Sequence, residues 1–445
     1  METAEKKRIA LIGAGIAGLV CAYELKKRGH DVIIYENSDR VGGRMATRVK
    51  DGLEFNPGAT FLSHHYHTLR AYAEEFRIPW HPMQKGSSHR VRRGGKSYYY
   101  NVAGPIDVLK LRVLSLPSRL RFLWFLMRLA LRKIPGSFFD LSLVPESFDF
   151  DNASHYLRKA VGDEVVDYVA DPFTTTLHFY LSDQVSTAMM FTLLKSLIGN
   201  PEFSAEYPVG GIQAIPNELA RRLNVVTEAR VESVIRGKDG NTVRVNDRDE
   251  MFDAVVFACP APAVLGILRN PTESELELLQ SVTYGSTITF AFKVPSTMFT
   301  DNTHCIYVPY VENKIIGSCI FEMRKQTGLL AEGKTLFNVY LHDQAAKELM
   351  NKSEEELLSI IIPELRAICP EFTVHEKDIV FHDIERWPRA MPAFPPGYVS
   401  KTRKFLENNQ GVDNIYLIGD YMNSTWTEGA ARCGRRTAEV IDNVG

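Results

Sequence analysis

The sequence predicts an α/β fold, and the pattern at its N-terminus is the first reason. Arg8–Ile12 is a short apolar run, as expected of a buried parallel strand. Residues 19–27 carry apolar side chains about every three to four positions, which is typical of a helix, and Gly29 ends this run. Asp31–Tyr35 then has the pattern of a second strand. A strand, a helix and a strand within about 30 residues have the size of a βαβ unit.

The middle of the chain supplies the second reason, because two regions contain runs that look like strands, and those of the first alternate apolar and polar residues. The first region surrounds the turn Lys238-Asp239-Gly240-Asn241 and has runs at 225–227, 231–235, 242–245 and 254–258. The second region has runs at 287–294, 305–309, 314–321 and 335–341. We therefore expect an antiparallel sheet in addition to the parallel one.

The turn after the first strand predicts a dinucleotide site of the Rossmann type. Its sequence is Gly13-Ala14-Gly15-Ile16-Ala17-Gly18. In this motif the first glycine permits a tight turn, the second lets a pyrophosphate approach, and the third lets helix pack on strand. The phosphates lie at the helix N-terminus, where free N–H groups and the dipole favour anions. Glu36 follows at about the spacing where an acid accepts the ribose hydroxyls. The alternative is a glycine-rich turn in some other α/β protein.

A second block, Asp39-Arg40-Val41-Gly42-Gly43-Arg44, follows closely. Arginine binds phosphate oxygens with paired donors, so this block predicts a second clamp for an anion. The alternative is a basic loop on the surface.

Together these motifs resemble the superfamily of flavin-containing amine oxidases, protoporphyrinogen oxidases and phytoene-type desaturases. The later segments Asn56-Pro57-Gly58-Ala59-Thr60, Ile415-Tyr416-Leu417-Ile418-Gly419-Asp420 and Glu428-Gly429-Ala430 support the resemblance, which covers nearly the whole chain. It implies FAD as the cofactor, with Asp420 at the ribityl–pyrophosphate part and the helix near Glu428 pointing toward the flavin. It also implies that the backbone of Val231 holds the adenine. The residues expected to bind FAD are Gly13, Ala14, Gly15, Ile16, Ala17, Gly18, Glu36, Arg40, Gly42, Gly43, Arg44, Gly58, Ala59, Thr60, Val231, Gly419, Asp420, Glu428, Gly429 and Ala430.

The resemblance also implies the domain organisation. A discontinuous Rossmann-type FAD-binding domain would comprise residues 1–74, 206–284 and 386–445. It would be interleaved with an α+β substrate domain, a mixed antiparallel sheet plus helices, at 75–205 and 285–385.

The expected reaction follows from residues near the flavin. Amine oxidases of this superfamily place two aromatic side chains and a lysine there; the matching positions fall on Ala390, Trp426 and Thr289, so one aromatic residue and the lysine are missing. The segments 208–216 and 386–392 instead resemble protoporphyrinogen oxidases and carotenoid desaturases. We therefore expect an FAD-dependent oxidoreductase that dehydrogenates (desaturates) a largely apolar small molecule, with dioxygen or a quinone reoxidising the flavin.

The candidates for the substrate pocket are Trp426, Thr289 and Arg389. Arg389 would be the partner of a substrate carboxylate or a surface cation. The alternatives are an amine oxidase that releases hydrogen peroxide, a non-redox flavin-dependent isomerase, and a flavin-binding protein without catalysis.

Charge and cysteine content limit the kinds of binding partner and the cellular location that we expect for the protein. The net charge of −2 gives no field that attracts nucleic acid. The six cysteines have no Cys-x-x-Cys spacing, so neither a zinc site nor a disulfide framework is predicted, and a cytoplasmic, reducing location is expected. A signal peptide at the basic N-terminus is rejected, since its cleavage would remove the dinucleotide site.

The histidines His64, His65 and His67 lack a local acidic or thiolate partner for a metal. They are expected to line a pocket or to form a loop at a helix start.

Two basic segments have alternative interpretations. Arg90, Arg92, Arg93 and Lys96 surround Gly94-Gly95, which favours a solvated β-hairpin over a nucleic-acid site. Residues 109–134 combine basic and apolar side chains without an acid. They predict either a lid helix of the substrate domain, buried on its wide face, or an amphipathic helix in peripheral contact with a membrane. No apolar stretch is long enough to span a bilayer, and the sequence does not fix the oligomeric state.

Overall fold

The computed structural model describes residues 6–101, 104–198, 205–325 and 332–443. Its strands are β1 (Arg8–Ile12), β2 (Asp31–Tyr35), β3 (Arg48–Lys50), β4 (Leu53–Phe55), β5 (Leu62–Ser63), β6 (Trp80–Pro82), β7 (Ser88–Arg93), β8 (Lys96–Tyr99), β9 (Ala205–Pro208), β10 (Asn224–Val226), β11 (Val231–Ile235), β12 (Asn241–Val245), β13 (Arg248–Phe252), β14 (Ala254–Phe257), β15 (Thr283–Pro295), β16 (Thr303–Tyr307), β17 (Ile316–Phe321), β18 (Lys334–Leu341), β19 (Val380–Ala393) and β20 (Ile415–Leu417). Its α-helices are α1 (Ile16–Lys27), α2 (His67–Glu75), α3 (Pro105–Lys110), α4 (Leu116–Leu131), α5 (Ala153–Val161), α6 (Asp163–Val165), α7 (Asp171–His178), α8 (Thr187–Leu197), α9 (Ala214–Ala220), α10 (Ala261–Ile267), α11 (Glu273–Ser281), α12 (Asp343–Leu349), α13 (Glu354–Ile368), α14 (Pro370–Val374), α15 (Tyr398–Asn408) and α16 (Thr427–Asn443).

A five-stranded parallel sheet in the order β10-β2-β1-β14-β20 forms the first layer of the fold. Four of the five β1 residues are buried, which explains the continuous apolar run, because both faces of a parallel sheet are covered. Helix α16 packs closely on α1 at Gly434, where an added Cβ would lie 2.2 Å from the carbonyl oxygen of Ala17. The last helix of the chain therefore supports the first one.

The second large sheet has seven strands in the order β19-β15-β18-β17-β16-β7-β8. Its pairings are antiparallel except that between β16 and β7. Alternate residues face opposite sides of a strand. On one side, Ile306 and Val339 join a core with Leu357 and Ile361 of α13. The other side presents Tyr307, among others, to a large cavity.

The predicted fold class is confirmed, with differences at particular elements. β1 and β2 have the predicted bounds, and α1 begins at Ile16, three residues before the predicted start. Both predicted groups of strands form, and so does the hairpin of β7 and β8. β13 and β19 were not predicted. β19 contains two prolines and many charges, which a strand at the edge of a sheet tolerates.

The order of strands reflects the interleaving of the chain. The parallel sheet takes β1 and β2 from the start of the chain, β10 and β14 from the middle and β20 from the end. β15 and β19 each cross a predicted domain border and pair with one another. The domain division itself stays a prediction. In the part of the chain that the structure describes, every helix is too short or too polar to cross a membrane.

Candidate active site

A cavity of about 1470 Å³ extends from the carboxyl ends of the parallel strands to the seven-stranded sheet. This is the edge at which open α/β sheets bind ligands. The volume exceeds the roughly 300–1,000 Å³ typical of a pocket for one drug-sized molecule. The cavity therefore has room for an extended cofactor and a second molecule.

The turn between β1 and α1 forms one end of the cavity. Gly13 has φ +108°, and an added Cβ there would lie 3.0 Å from the carbonyl oxygen of Ala258. At Gly15 an added Cβ would meet nothing within 4 Å, since this residue borders the cavity. Gly15 caps α1 without a side chain, so the first N–H groups of the helix have no capping partner from it. This arrangement suits a phosphate anion.

Glu36 lies at the cavity, immediately after β2. Its Oε2 accepts a hydrogen bond from the backbone N–H of Ala14 at 2.7 Å. Its Oε1 accepts from the backbone N–H and the hydroxyl of Ser38 at 2.9 and 2.7 Å. The carboxylate is therefore held in place, and its remaining lone pairs are available to a ligand.

The second glycine block lies directly against the first. The N–H of Gly42 donates to the carbonyl of Ala14 at 2.9 Å, and Gly42 has φ +98°. Arg44 donates from Nη1 to Oδ2 of Asp420 at 2.6 Å and to the carbonyl of Ala390 at 2.9 Å. Arg40 donates to the carbonyl of Gly43 at 2.9 Å. The arginine pair thus fixes the loop, and Arg44 ties the start of the chain to its end.

The turn at Gly58 borders the same cavity. An added Cβ at Gly58 would lie 2.1 Å from the carbonyl oxygen of Arg44, which explains the need for glycine there. The N–H of Ala59 donates to the same carbonyl at 2.9 Å. These contacts hold Ala59 and Thr60 against the cavity.

The end of the chain supplies a further wall with unpaired polar atoms. Tyr421, Thr425 and Trp426 line the cavity. The Tyr421 and Thr425 hydroxyls and the Trp426 Nε1 are buried and have no hydrogen-bond partner within the described residues. Buried polar groups normally have partners. A cofactor ring rich in nitrogen and carbonyl groups, as in FAD, would satisfy them, so the residues present fit that group.

Aromatic side chains fix the position of Trp426. It is 8% exposed and makes edge-to-face contacts with Phe138, Phe139 and Phe61 at centroid distances of 5.2, 5.8 and 5.7 Å. Such contacts favour one ring orientation. Its indole is therefore rigid at the cavity wall.

Sixteen of the residues expected to bind FAD line the cavity: Gly13, Gly15, Ile16, Ala17, Glu36, Arg40, Gly42, Gly43, Arg44, Gly58, Ala59, Thr60, Val231, Gly419, Asp420 and Ala430. Ala14, Gly18, Glu428 and Gly429 lie behind its wall. Gly18 packs α1 on the turn, where an added Cβ would lie 2.2 Å from the carbonyl oxygen of Gly13.

Glu428 has a structural environment that the sequence did not suggest. Its carboxylate is fully buried and accepts hydrogen bonds from the N–H groups of Thr68 and Leu69 at 2.9 and 3.0 Å. Arg432 donates to it at 2.8 Å. Glu428 therefore caps α2, whereas the neighbouring Ala430 lines the cavity.

The three substrate-pocket candidates have different positions. Trp426 lines the cavity; Arg389 does so as well, with an exposed side chain. Thr289 is fully buried outside the cavity wall, where its hydroxyl donates to the carbonyl of Pro57 at 3.4 Å. This position gives Thr289 no surface for substrate contact. Ala390 lines the cavity at the place of the missing aromatic residue.

A buried ion pair that the sequence did not predict places one of its two members, Lys325, at the cavity. Lys325 and Glu322 are 3% and 4% exposed, and Nζ of Lys325 lies 2.5 Å from Oε1 of Glu322. Lys325 also donates to the carbonyl of Thr60 at 3.1 Å and lines the cavity. Burial raises the pKa of Glu322, and the lysine opposes this rise. The available signal was a charged run, Glu322, Arg324 and Lys325, after the wholly buried strand β17.

Two histidines line the substrate side of the cavity near Lys325. Burial lowers the pKa of His89 to about 4, so its imidazole is neutral at pH 7. Burial and the neighbouring His89 lower the pKa of His304 as well. The described residues contain no cluster of acidic, histidine and cysteine side chains suited to a metal, His64, His65 and His67 included.

The fold and the site define a dinucleotide-binding oxidoreductase, and the comparisons name its family. The family model described as "Flavin containing amine oxidoreductase" matches residues 16–442. The chain therefore belongs to this family; it is a flavin-dependent oxidoreductase and its cofactor is FAD.

Three similar proteins illustrate the range of the family. Protoporphyrinogen oxidase 2 of Arabidopsis thaliana is 28% identical over 99% of this chain and 95% of its own length. A redesigned putrescine oxidase has a TM-score of 0.80 at 18% identity and covers 99% of both chains. A fatty acid isomerase from P. acnes that produces CLA has a TM-score of 0.72 at 17% identity and covers 98% of both chains. The two structural likenesses show the fold alone.

Proposed function

We propose that this chain dehydrogenates a largely apolar small molecule, in the manner of the protoporphyrinogen oxidase and phytoene desaturase branch. The observation that carries the proposal is the apolar and aromatic lining of the cavity beyond the cofactor end. The residues concerned are Phe173, Leu177, Phe179, Ile320, Tyr340 and Met391. Burial of an apolar ligand against such side chains is favourable in proportion to the area removed from water.

The side chains of this lining have roles in binding and orientation. Phe179 and Tyr340 are stacked, with ring centroids 6.0 Å apart and planes at 23°, and give the cavity a flat aromatic wall. Phe179 holds this place in a left-handed conformation with φ +73°. Arg389 has no ion-pair partner in the described part of the chain, so a substrate carboxylate is a suitable partner for it.

Bound FAD supplies the two-electron acceptor for oxidation of a carbon–hydrogen bond, and dioxygen or a quinone would then reoxidise it. The protein's own task is to exclude water and to hold the substrate against the rigid Trp426. We place the enzyme in a reducing compartment such as the cytoplasm, because all six cysteine thiols are unpaired.

An amine oxidase that releases hydrogen peroxide is the second candidate. Trp426 at the cavity wall favours it, since this position is aromatic in amine oxidases. The residues Thr289 and Ala390 argue against it, because amine oxidases have a lysine and an aromatic residue at these two positions. A non-redox isomerase acting through reduced FAD is the third candidate, since a fatty acid isomerase shares the fold.

Anaerobic reduction of the bound flavin distinguishes the candidates. The holoenzyme is mixed with porphyrinogens, polyprenoids and simple amines in turn, and flavin absorbance near its visible maximum is followed. Fast bleaching by a porphyrinogen or polyprenoid, and none by amines, is the expected result. Fast bleaching by amines, with peroxide release in air that Trp426→Ala abolishes, would establish an amine oxidase instead. A product of unchanged oxidation state without any net electron acceptor would establish an isomerase.

A further inference from the structure

Helix α4 exposes a continuous apolar stripe. Its residues Leu116, Leu120, Trp124, Met127 and Leu131 follow one another at intervals of four, four, three and four positions, so they share one helix face. Their exposed fractions are 59%, 52%, 61%, 44% and 85%. The preceding helix α3, which contacts α4, adds exposed Ile106 and Leu109. Monomeric proteins rarely expose contiguous apolar surface of this kind without a partner.

The opposite face of α4 anchors the helix in the protein. Phe122, Leu126 and Leu129 are buried there. The expected lid helix, buried on its wide apolar face, therefore describes only this inner half. The side chains of the outer stripe stay 44–85% exposed among the described residues.

Cationic side chains accompany the stripe. The segment carries Lys110, Arg112, Arg119, Arg121, Arg128, Arg132 and Lys133, and it contains no acid between Asp107 and Asp140. None of these seven groups makes an ion pair within the described residues, whereas Arg90, Arg93 and Arg158 in the same half of the chain are paired. The surface thus joins exposed apolar side chains to seven uncompensated positive charges.

We propose that α3 and α4 form a docking surface for a phospholipid bilayer with anionic headgroups. An amphipathic helix with this composition lies in the plane of the interface, with its apolar side chains inserted roughly 5–10 Å. Lysine and arginine next to the surface add electrostatic attraction to anionic lipid. A second copy of this chain is the poorer occupant, because a two-fold contact brings like patches together and would oppose seven positive charges with seven.

The docking surface lies close to the cavity. Phe122 on the inner face of α4 borders a small apolar cavity together with Tyr100 and Phe173. Both Tyr100 and Phe173 also line the large cavity. One layer of side chains therefore separates the docked helix from the site, which suits delivery of an apolar molecule from the lipid. The docking proposal stands without the proposed function, since a binding measurement needs no substrate.

Sedimentation of the holoenzyme with vesicles tests the proposal, with flavin absorbance as the measure of bound folded protein. Vesicles of phosphatidylcholine with one quarter phosphatidylglycerol are compared with phosphatidylcholine alone. We expect binding to the anionic vesicles that weakens in salt. Trp124→Ser and Leu131→Ser should each lower the partition coefficient about tenfold. Val374→Ser, a change at an equally exposed apolar residue far along the chain, is the control and should leave it unchanged.

A charge variant completes the test. Arg128→Gln should lower the partition coefficient about fivefold, as expected for one charge at the membrane surface, and Lys238→Gln should not change it. Absence of binding to anionic vesicles at low salt would overturn the proposal. Equal losses in the Trp124→Ser and Val374→Ser variants would overturn it as well. A loss of self-association in Trp124→Ser, without vesicle binding by the parent protein, would assign the surface to a second copy.

Discussion

Several side chains that line the cofactor site also make hydrogen bonds or ion pairs within the protein. Glu36 accepts one hydrogen bond from Ala14 in the first glycine turn and two from Ser38 in its own loop. Arg44 joins Asp420 to the backbone of Ala390. Fixed side chains of this kind lose little freedom when a ligand binds, because their conformations are already set. Replacement of either residue should therefore disturb the loop and the cofactor together.

The first prediction concerns Glu36. Glu36→Gln keeps the shape of the side chain but removes its charge and one acceptor. Loss of a charge-assisted hydrogen bond costs about 1.5–3 kcal/mol, so the Kd for FAD should rise about 10- to 150-fold. Titration of the apoprotein, followed by quenching of flavin fluorescence, measures this change. Glu250→Gln, at a carboxylate that contacts Tyr35 and Arg8 but does not line the cavity, is the control. An unchanged Kd in Glu36→Gln would remove the ribose role.

The second prediction concerns the buried pair of Lys325 and Glu322. Lys325→Met leaves Glu322 buried without its cation and should lower the free energy of unfolding by about 3–5 kcal/mol. The double variant Lys325→Met, Glu322→Leu removes both charges and should recover most of this loss. Urea unfolding of the three proteins checks this. A double variant as unstable as the single one would show that the charge balance is not the cause.

A short motif can predict a residue's place when that place depends on local geometry. Glycine is required at Gly13 and Gly58 by a turn or a close backbone approach, and such requirements are visible in a short motif. The cap that Glu428 gives to α2 was not predicted, because its partners on α2 lie about 360 positions away along the chain. Lys325 was not predicted because Thr60, which it contacts, lies 265 positions away in the sequence.

Among the elements, α2 depends on a helix from the other end of the chain. Its first N–H groups have no acceptor within the helix. Glu428 of α16 supplies one, and the partial positive charge of the helix start favours this carboxylate. The cap connects α2 to the segment that carries Trp426.

The third prediction concerns this cap. Glu428→Ala leaves two buried N–H groups of α2 and Arg432 without their partner, and should lower the free energy of unfolding by about 3 kcal/mol or more. Glu428→Gln retains an acceptor and should lose less. Chemical denaturation measures both effects. If the two variants lost FAD affinity without losing stability, a direct role of Glu428 at the cofactor would follow instead.

Elements with a clear apolar pattern in the sequence were predicted correctly, and elements that depend on tertiary contacts were not. β1 and β2 have continuous apolar runs and were predicted at their observed bounds. β19 has no clear period because it carries prolines and charges, which its position at the edge of the sheet tolerates. In α4 both faces are apolar, and only the three-dimensional structure distinguishes the buried face from the exposed one.

At the scale of the whole molecule, buried histidines link stability to pH. His178 and His342 are 0% and 2% exposed, and burial lowers the pKa of each to about 3. In an unfolded chain a histidine has a pKa of about 6.5. Between these values the unfolded chain binds protons that the folded protein does not, so acid favours unfolding.

The fourth prediction follows from that difference. As the pH falls from 7 to 5, the free energy of unfolding should fall by about 2 kcal/mol for each of these two histidines, since the pH passes below the unfolded pKa. The fall continues until the pH reaches the folded pKa of about 3. Urea unfolding at both pH values measures it. His342→Leu should reduce the fall by about 2 kcal/mol; an identical fall in this variant would contradict the assignment.

The ion pair of Arg44 with Asp420 has a consequence for biosynthesis. A ribosome adds Asp420 376 residues after Arg44. The nascent chain therefore lacks a closed cofactor site until Asp420 has been added, and FAD is captured late. Chains truncated before residue 420 should stay colourless, so the yellow colour of the protein reports that its synthesis has passed Asp420.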